Sequence, residues 1–126
     1  MRFAITAAAF LVSAVADGSA QEARDPGERA FLQCYSCHSV EAGETEGLQG
    51  PNLAGIVGRP IAAQPGFEYS PAMRAFAREY GSWSAALLDR FIADPEQVIP
   101  GTAMSGYPGL ADNQARRALM EFLKSH

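Results

Sequence analysis

The feature that most constrains the fold of this 126-residue chain is its pair of cysteines, Cys34 and Cys37, the only two in the sequence. Because they are three positions apart, no disulfide bond can link distant parts of the chain. A domain of roughly 100 residues buries only about two-thirds of its unfolded surface and is often marginally stable without help. Something other than disulfide bonds is therefore expected to complete the core, and a large apolar cofactor would do so.

The two cysteines belong to the pentapeptide Cys34-Tyr35-Ser36-Cys37-His38, and C-x-x-C-H is the attachment signature of c-type haem. At the end of a helix, two thiols at this spacing lie along one side, where each can add to one vinyl group of a porphyrin. A redox-active C-x-x-C would need a βαβ context, and a zinc site would need four ligands at paired spacings. The sequence offers neither, so the pattern indicates one covalently attached haem c.

The N-terminal residues have the pattern of a secretory signal peptide. One arginine precedes an apolar run from Phe3 to Val15, which is followed by small residues. The run is shorter than the ~20 residues that a membrane-spanning helix needs. We expect residues 1–20 to be a signal peptide, cleaved after Ala16 or Ala20, and residues 21–126 to form the exported domain. The expected location is the periplasm, and the alternative is an uncleaved N-terminal anchor.

The charge balance excludes some classes of partner. The chain has 14 acidic and 10 basic residues, a net charge of −4, and its only lysine is Lys124. No basic cluster suits nucleic acid or an anionic lipid surface. We therefore expect no nucleic-acid partner and no stable insertion into a membrane.

Four segments carry helical patterns, and none carries a convincing strand pattern. Capping residues and apolar periodicity predict helices from Pro26 to Cys34, from Pro71 to Tyr80, from Ser84 to Ala93, and from Asp112 onward. The long Gly- and Pro-rich stretch between the first two helices needs a function in a compact domain, and wrapping a cofactor is one. The sequence thus predicts an all-α fold, with about four helices and long loops around one covalent haem.

A haem iron that carries electrons needs a second axial ligand besides the histidine of the attachment motif. The candidates are His126, Met73, Met104 and Met120. Met73 and Met120 lie in helical patterns, where methionine more often fills a core. Met104 follows a turn-rich segment that could hold its thioether over a flat ring. A soft, neutral sulfur ligand favours ferrous iron and leaves no open position.

Motifs spread along the chain resemble the class I cytochromes c, in the same order and at similar separations. They are Cys34-Tyr35-Ser36-Cys37-His38, Gly50-Pro51-Asn52-Leu53, Gly58-Arg59, Gly66-Phe67-Glu68-Tyr69, Trp83 and Pro100-Gly101-Thr102-Ala103-Met104. The resemblance covers essentially the whole chain after the signal-like segment. It implies the class I cytochrome c fold, a monomer, and an electron-transfer protein rather than an enzyme.

The resemblance also implies roles for individual residues. Cys34 and Cys37 would attach the haem, and His38 and Met104 would be the axial ligands of its iron. The carbonyl of Pro51 would accept the other ring N–H of His38 and fix the orientation of the imidazole.

Three further residues, Arg59, Tyr69 and Trp83, would donate hydrogen bonds to a haem propionate and so offset its burial. The alternative for Tyr69 and Trp83 is an ordinary core aromatic, and for Arg59 a solvated surface base. The chain also departs from the family. Phe91 stands where a tyrosine commonly bonds to the methionine sulfur, and Met73 stands where an asparagine is frequent.

The family often surrounds the haem edge with lysines, whereas the corresponding residues here are Gln33, Glu96, Gln97 and Ala103. Electrostatic steering by a lysine ring is therefore absent. We expect redox protein partners, one donor and one acceptor, whose docking faces are not acidic.

The predicted function is that of a periplasmic single-electron carrier between respiratory or dehydrogenase partners. The first alternative is a dedicated electron-accepting subunit of a periplasmic dehydrogenase. A haem peroxidase or a gas sensor is a further alternative, but either would need an open sixth position on the iron.

Overall fold

The computed structural model of the chain describes residues 24–126, so the expected signal peptide lies outside the described residues and its cleavage stays a prediction. Five helices follow one another: α1 (Pro26–Phe31), α2 (Pro71–Tyr80), α3 (Ala85–Ala93), α4 (Pro95–Val98) and α5 (Asn113–Lys124). Between residues 24 and 126 there is no strand, only an isolated bridge between Pro60 and Ser82. No helix in this range is long and apolar enough to cross a membrane.

Each helix begins at a side chain that accepts a hydrogen bond from a backbone N–H of the first turn. These N-caps are Asp25, Ser70, Ser84, Asp94 and Asp112. In three helices a proline follows the cap, where its missing N–H costs no hydrogen bond. The predicted starts of α1, α2 and α5 are confirmed.

The first and last helices cross at a glycine. A Cβ on Gly27 would lie 2.5 Å from the Ala118 carbonyl oxygen and 2.6 Å from Cβ of Phe122. The rings of Phe31 and Phe122 pack beside this crossing, with their centroids 5.2 Å apart. This contact places the residues that follow α1 next to α5.

The structure differs from the prediction in the end of one helix and in the presence of a further helix. Helix α1 ends at Phe31 rather than Cys34, and the chain continues in tight turns in which Cys34 N donates to Phe31 O (2.7 Å) and His38 N donates to Cys34 O (2.9 Å). Helix α4 was not predicted, because four residues are too few for apolar periodicity to be visible. The turns that follow α1 are of the kind that tightens the end of a helix, and whether they form depends on the residues packed beside them.

The core is apolar and is formed mainly by α3 and α5 with several loop residues. Leu119 on α5 is 0% exposed, and Leu88, Phe91 and Ile92 of α3 are also buried. The same α3 residues and Leu119 line the cavity described below. The core therefore forms part of the wall of that cavity.

Candidate haem site

The main cavity of the described residues has a volume of about 560 Å³, within the range of small-molecule and cofactor sites. The structure brings all eight residues that the sequence indicated to its lining: Cys34, Cys37, His38, Pro51, Arg59, Tyr69, Trp83 and Met104. Buried apolar side chains complete the lining, among them Ile56, Leu88, Phe91 and Leu123. The lining thus combines sulfur and nitrogen donors with a largely apolar surface.

One side of the cavity is formed by residues 38–53, here called the histidine wall. His38 is 8% exposed, and its Nδ1–H donates to the carbonyl of Pro51 over 2.7 Å. Burial lowers the pKa of His38, and the hydrogen bond to Pro51 opposes that shift in part. The imidazole is therefore held neutral, with Nε2 as the nitrogen available to a metal.

The glycine before Pro51 makes this arrangement possible. A Cβ on Gly50 would lie 2.6 Å from Nδ1 of His38, closer than a side-chain carbon and a ring nitrogen approach each other in proteins. In addition, Gly50 N donates to the Cys37 carbonyl over 2.8 Å. The backbone of this glycine therefore supports one side of the imidazole ring.

Buried hydrogen bonds stabilise the rest of the histidine wall. Nδ2 of the buried Asn52 donates to the carbonyls of Glu41 and Glu44, each over 2.7 Å, and its Oδ1 accepts from Ala54 N over 2.7 Å. The hydroxyl of Ser39 donates to the Glu44 carboxylate. Because these bonds join residues up to 11 apart in sequence, they close the loop on itself.

Arg59 and Tyr69 provide polar donors in a largely apolar lining. The Arg59 guanidinium donates to the carbonyls of Asn52 (2.7 Å) and Ala54 (3.1 Å), while its buried Nε has no partner. Burial lowers the pKa of Arg59, and Tyr69 opposes this. The hydroxyl of Tyr69 accepts from Gln64 N over 3.1 Å, so its own proton remains free to be donated.

Trp83 belongs to a cluster of aromatic rings between α2 and α3. Its ring centroid lies 5.1 Å from that of Phe91 and 5.9 Å from that of Phe76. Trp83 is buried and lines the cavity. It is therefore both a core aromatic and a lining residue, and these two interpretations do not exclude each other.

Another side of the cavity is formed by residues 102–107, here called the methionine wall. Met104 is half-buried, and its backbone N–H donates to the hydroxyl of Thr102 over 3.2 Å. Its carbonyl accepts from Tyr107 N over 2.8 Å, which closes a turn. Ala103 and Ser105 on either side are exposed, so few contacts hold this segment.

The structure separates the four candidates for a second axial ligand. Met73 and Met104 line the cavity, whereas Met120 and His126 do not. Met120 is buried in the core, and Nδ1 of the exposed His126 lies 2.8 Å from the carbonyl of Phe122. Met73 sits on α2, which begins at Pro71, whereas Met104 sits on an irregular segment.

Both cysteines lie at the cavity lining. Burial raises the pKa of Cys34 to about 11, and the neighbouring Cys37 thiol adds to the rise. Sequence reasoning did not name Tyr107, and it placed Gly50 in a motif without predicting its contact with His38, since both positions depend on long-range packing rather than on a local pattern.

The family model for Cytochrome c matches residues 25–126. The chain belongs to the cytochrome c family. It is 38% identical over 97 residues to cytochrome c2 of Rhodoplanes tepidamans. The matched region covers 77% of this chain and 94% of that protein.

Two further relatives in the family extend this likeness. Cytochrome c2 of Rhodomicrobium vannielii is 37% identical over 125 residues, 98% of this chain and 93% of that protein. The solved structure of cytochrome cH from Methylobacterium extorquens is similar with a TM-score of 0.69 and 32% identity, covering 80% of this chain and 96% of that chain. The all-α class I cytochrome c fold predicted from the sequence is confirmed.

Membership of the family makes this chain an electron-transfer protein, not an enzyme, with one covalently attached haem c. The residues present fit that group. The cavity has both thiols of the C-x-x-C-H motif in its lining, a neutral imidazole and a thioether beside them, and an unpartnered buried guanidinium nitrogen. When bound, the haem iron supplies a one-electron ferrous–ferric couple.

Proposed function

We propose that the chain is a soluble, periplasmic single-electron carrier, with Cys34 and Cys37 attaching the haem and His38 and Met104 as axial ligands. The observation that carries this proposal is the single cavity that these four side chains share. Both axial positions are then filled by the protein, so electron transfer needs little rearrangement of ligands. Filled positions also exclude oxygen and peroxide.

In this proposal, each wall has a distinct task. The Pro51 carbonyl fixes the His38 ring and makes it a stronger donor through its 2.7 Å hydrogen bond. Met104 supplies a soft sulfur that favours the ferrous state and raises the reduction potential. The buried apolar side chains around them keep water away. The local dielectric constant is therefore low, which strengthens the electrostatic influence of each ligand on the iron.

Arg59, Tyr69 and Trp83 are proposed to face the haem propionates. The unpartnered Nε of Arg59 and the free hydroxyl proton of Tyr69 are donors that a buried carboxylate requires. Trp83 lines the same cavity. Because Arg59 is fixed by two backbone carbonyls, its charge is already positioned before any propionate binds.

The rim of the cavity is proposed to be the docking surface. Its exposed lining residues are Gln33, Ser36, Gln49, Pro60, Glu68, Ala103 and Gly106. Glu68 is the only charged residue in this set, and none is basic. Tyr35, between the two cysteines, is 70% exposed. Such a surface suits a partner with a neutral or basic face, bound through small, short-lived contacts.

Two measurements test this proposal. Osmotic-shock fractionation of source cells, followed by gel filtration and haem staining, should find the protein in the periplasmic fraction and eluting alone. Its rate of electron exchange with the isolated partner should change by less than about threefold as salt rises.

A steep fall in that rate, with a partner whose docking face is acidic, would contradict the docking surface. Elution together with a dehydrogenase would instead support the second candidate, a dedicated subunit, which the exposed Tyr35 and the nearly uncharged rim would also suit. Retention in the cytoplasmic fraction would contradict export.

A further inference from the structure

Gln64 is a half-buried residue outside the cavity lining that makes two hydrogen bonds to residues of the site. Its side-chain Oε1 accepts from Asn52 N over 2.7 Å, across 12 positions of sequence. Its backbone N–H donates to the hydroxyl of Tyr69 over 3.1 Å. All three residues lie outside the helices, so Gln64 joins two loop segments that no regular element holds together.

Asn52 is a fixed anchor for the first of these contacts. It is 5% exposed, and its side chain donates to the backbone carbonyls of Glu41 and Glu44. Its own carbonyl accepts from Nη2 of Arg59 over 2.7 Å. The backbone of Asn52 therefore holds the Arg59 guanidinium through its C=O and the Gln64 side chain through its N–H.

The second contact of Gln64 orients the phenol of Tyr69. A phenol oxygen can accept hydrogen bonds while its single O–H donates one. Because the oxygen of Tyr69 already accepts from Gln64 N, its proton has to lie away from that N–H. Tyr69 lines the cavity. A displacement of residue 64 would therefore displace a donor that the cavity contains.

We propose that Gln64 is a positioning residue for the Tyr69 hydroxyl, because its side-chain hydrogen bond to Asn52 N fixes the backbone N–H that holds the phenol oxygen. This inference rests on the proposed role of Tyr69 as a donor to a haem propionate. Gln64 also sets the hydroxyl relative to the Arg59 guanidinium, since both are tied to the backbone of Asn52.

The test replaces the amide acceptor by a thioether of similar length, Gln64→Met, in the haem-loaded protein. Gln114→Met is the matched control, since Gln114 is exposed on α5 and does not line the cavity. The measured quantity is the equilibrium constant for electron exchange with a small redox dye of known potential. A less precisely placed hydroxyl offsets less of the propionate charge, which favours ferric iron. Gln64→Met should therefore shift the constant about threefold toward the ferric protein, and Gln114→Met should leave it unchanged.

A second variant, Tyr69→Phe, separates this inference from the proposed function. It should shift the constant in the same direction and by more than Gln64→Met does. In the Tyr69→Phe background, Gln64→Met should then add nothing further, because Gln64 acts through that hydroxyl.

The other outcomes are distinguishable. A shift in Tyr69→Phe with none in Gln64→Met would overturn the inference and leave the proposed role of Tyr69 standing. An equal effect of Gln64→Met in both backgrounds would overturn it as well. No shift in Tyr69→Phe would contradict the proposed role of Tyr69, and the inference would fall with it.

Hydrogen exchange of the parent protein tests the contact itself and does not depend on any variant folding. Among residues 24–126, the N–H of Asn52 has no acceptor other than Oε1 of Gln64. This amide should exchange at least about tenfold more slowly than in an unfolded peptide of the same sequence. Exchange at the unprotected rate would overturn the inference.

Discussion

The histidine wall and the methionine wall line the same cavity but are stabilised in different ways. On the histidine wall, the His38 ring is buried and packs against Gly50. Its Nδ1–H donates to the backbone carbonyl of Pro51 over 2.7 Å. On the methionine wall, Met104 is half-buried between exposed neighbours. Its carbonyl accepts from Tyr107 N over 2.8 Å, and its N–H donates to the Thr102 hydroxyl over 3.2 Å. One proposed axial ligand is fixed by a network, and the other by a short loop.

The difference indicates which property of the protein should change when each wall is disturbed. A disturbance of the histidine wall strains a closed network, so it should lower the free energy of unfolding. A disturbance of the methionine wall loosens a segment with few contacts, so it should alter access to the iron more than stability. The predictions below test this contrast.

The largest expected effect comes from removing the thioether at nearly constant volume. Met104→Leu should convert a protein that does not bind CO into one that binds it stoichiometrically in the reduced state, because the sixth position opens. Such a volume-conserving exchange usually costs less than about 1.5 kcal/mol of stability. CO titration followed by absorbance, with guanidinium unfolding in parallel, measures both quantities.

The matched variant is Met73→Leu, which changes the other methionine of the cavity lining. It should leave CO binding absent. CO binding by Met73→Leu and not by Met104→Leu would reverse the assignment of the axial ligand.

A smaller effect is expected when the histidine wall is overpacked. Gly50→Ala places a Cβ 2.6 Å from Nδ1 of His38, and should lower the free energy of unfolding by about 2 kcal/mol. Gly106→Ala on the methionine wall is the control, because no atom lies within 4 Å of its added Cβ. Stability is measured by guanidinium unfolding of the two haem-loaded variants. If their unfolding curves coincide, the contrast between the walls is contradicted.

The smallest effect is expected at Ala62, a cavity-lining residue outside both walls. It is the only non-glycine residue with a positive φ among residues 24–126, at 57°. Glycine adopts this conformation without steric cost but loses more chain entropy on folding. Ala62→Gly should therefore raise the free energy of unfolding by only about 0.5 kcal/mol. A loss of 1 kcal/mol or more, in the same unfolding experiment, would show that the methyl packs favourably.

Much of the fold could be predicted from the sequence because the helix signals are local. Helices were predicted to begin at or directly after Ser70, Ser84 and Asp112, and these three residues are the N-caps of α2, α3 and α5. The end of α1 and the existence of α4 were not predicted. The former depends on the turns that lead to His38, and the latter has four residues. The Asp94-Pro95 pair was a usable signal for α4, since a capping residue before proline favours a helix start.

The candidate site was predictable to a similar extent. The attachment pentapeptide carries its chemistry in consecutive residues, so cysteines and histidine were found directly. Met104 was found with the help of the resemblance, and the cavity leaves only Met73 beside it. The role of Gly50 was not predicted, although its motif was recognised, because its contact is with His38, 12 positions away, which no local pattern reveals.

The central claim is that the chain fills both axial positions of its haem iron. Its most direct test is an optical spectrum of protein matured in a bacterial periplasm, recorded oxidised and then reduced, with and without CO. We expect sharp reduced bands of a low-spin c-type haem, a weak sulfur-to-iron band in the oxidised form, and no response to CO. A high-spin spectrum or ready CO binding would contradict the claim, because Met104 would then not hold the iron.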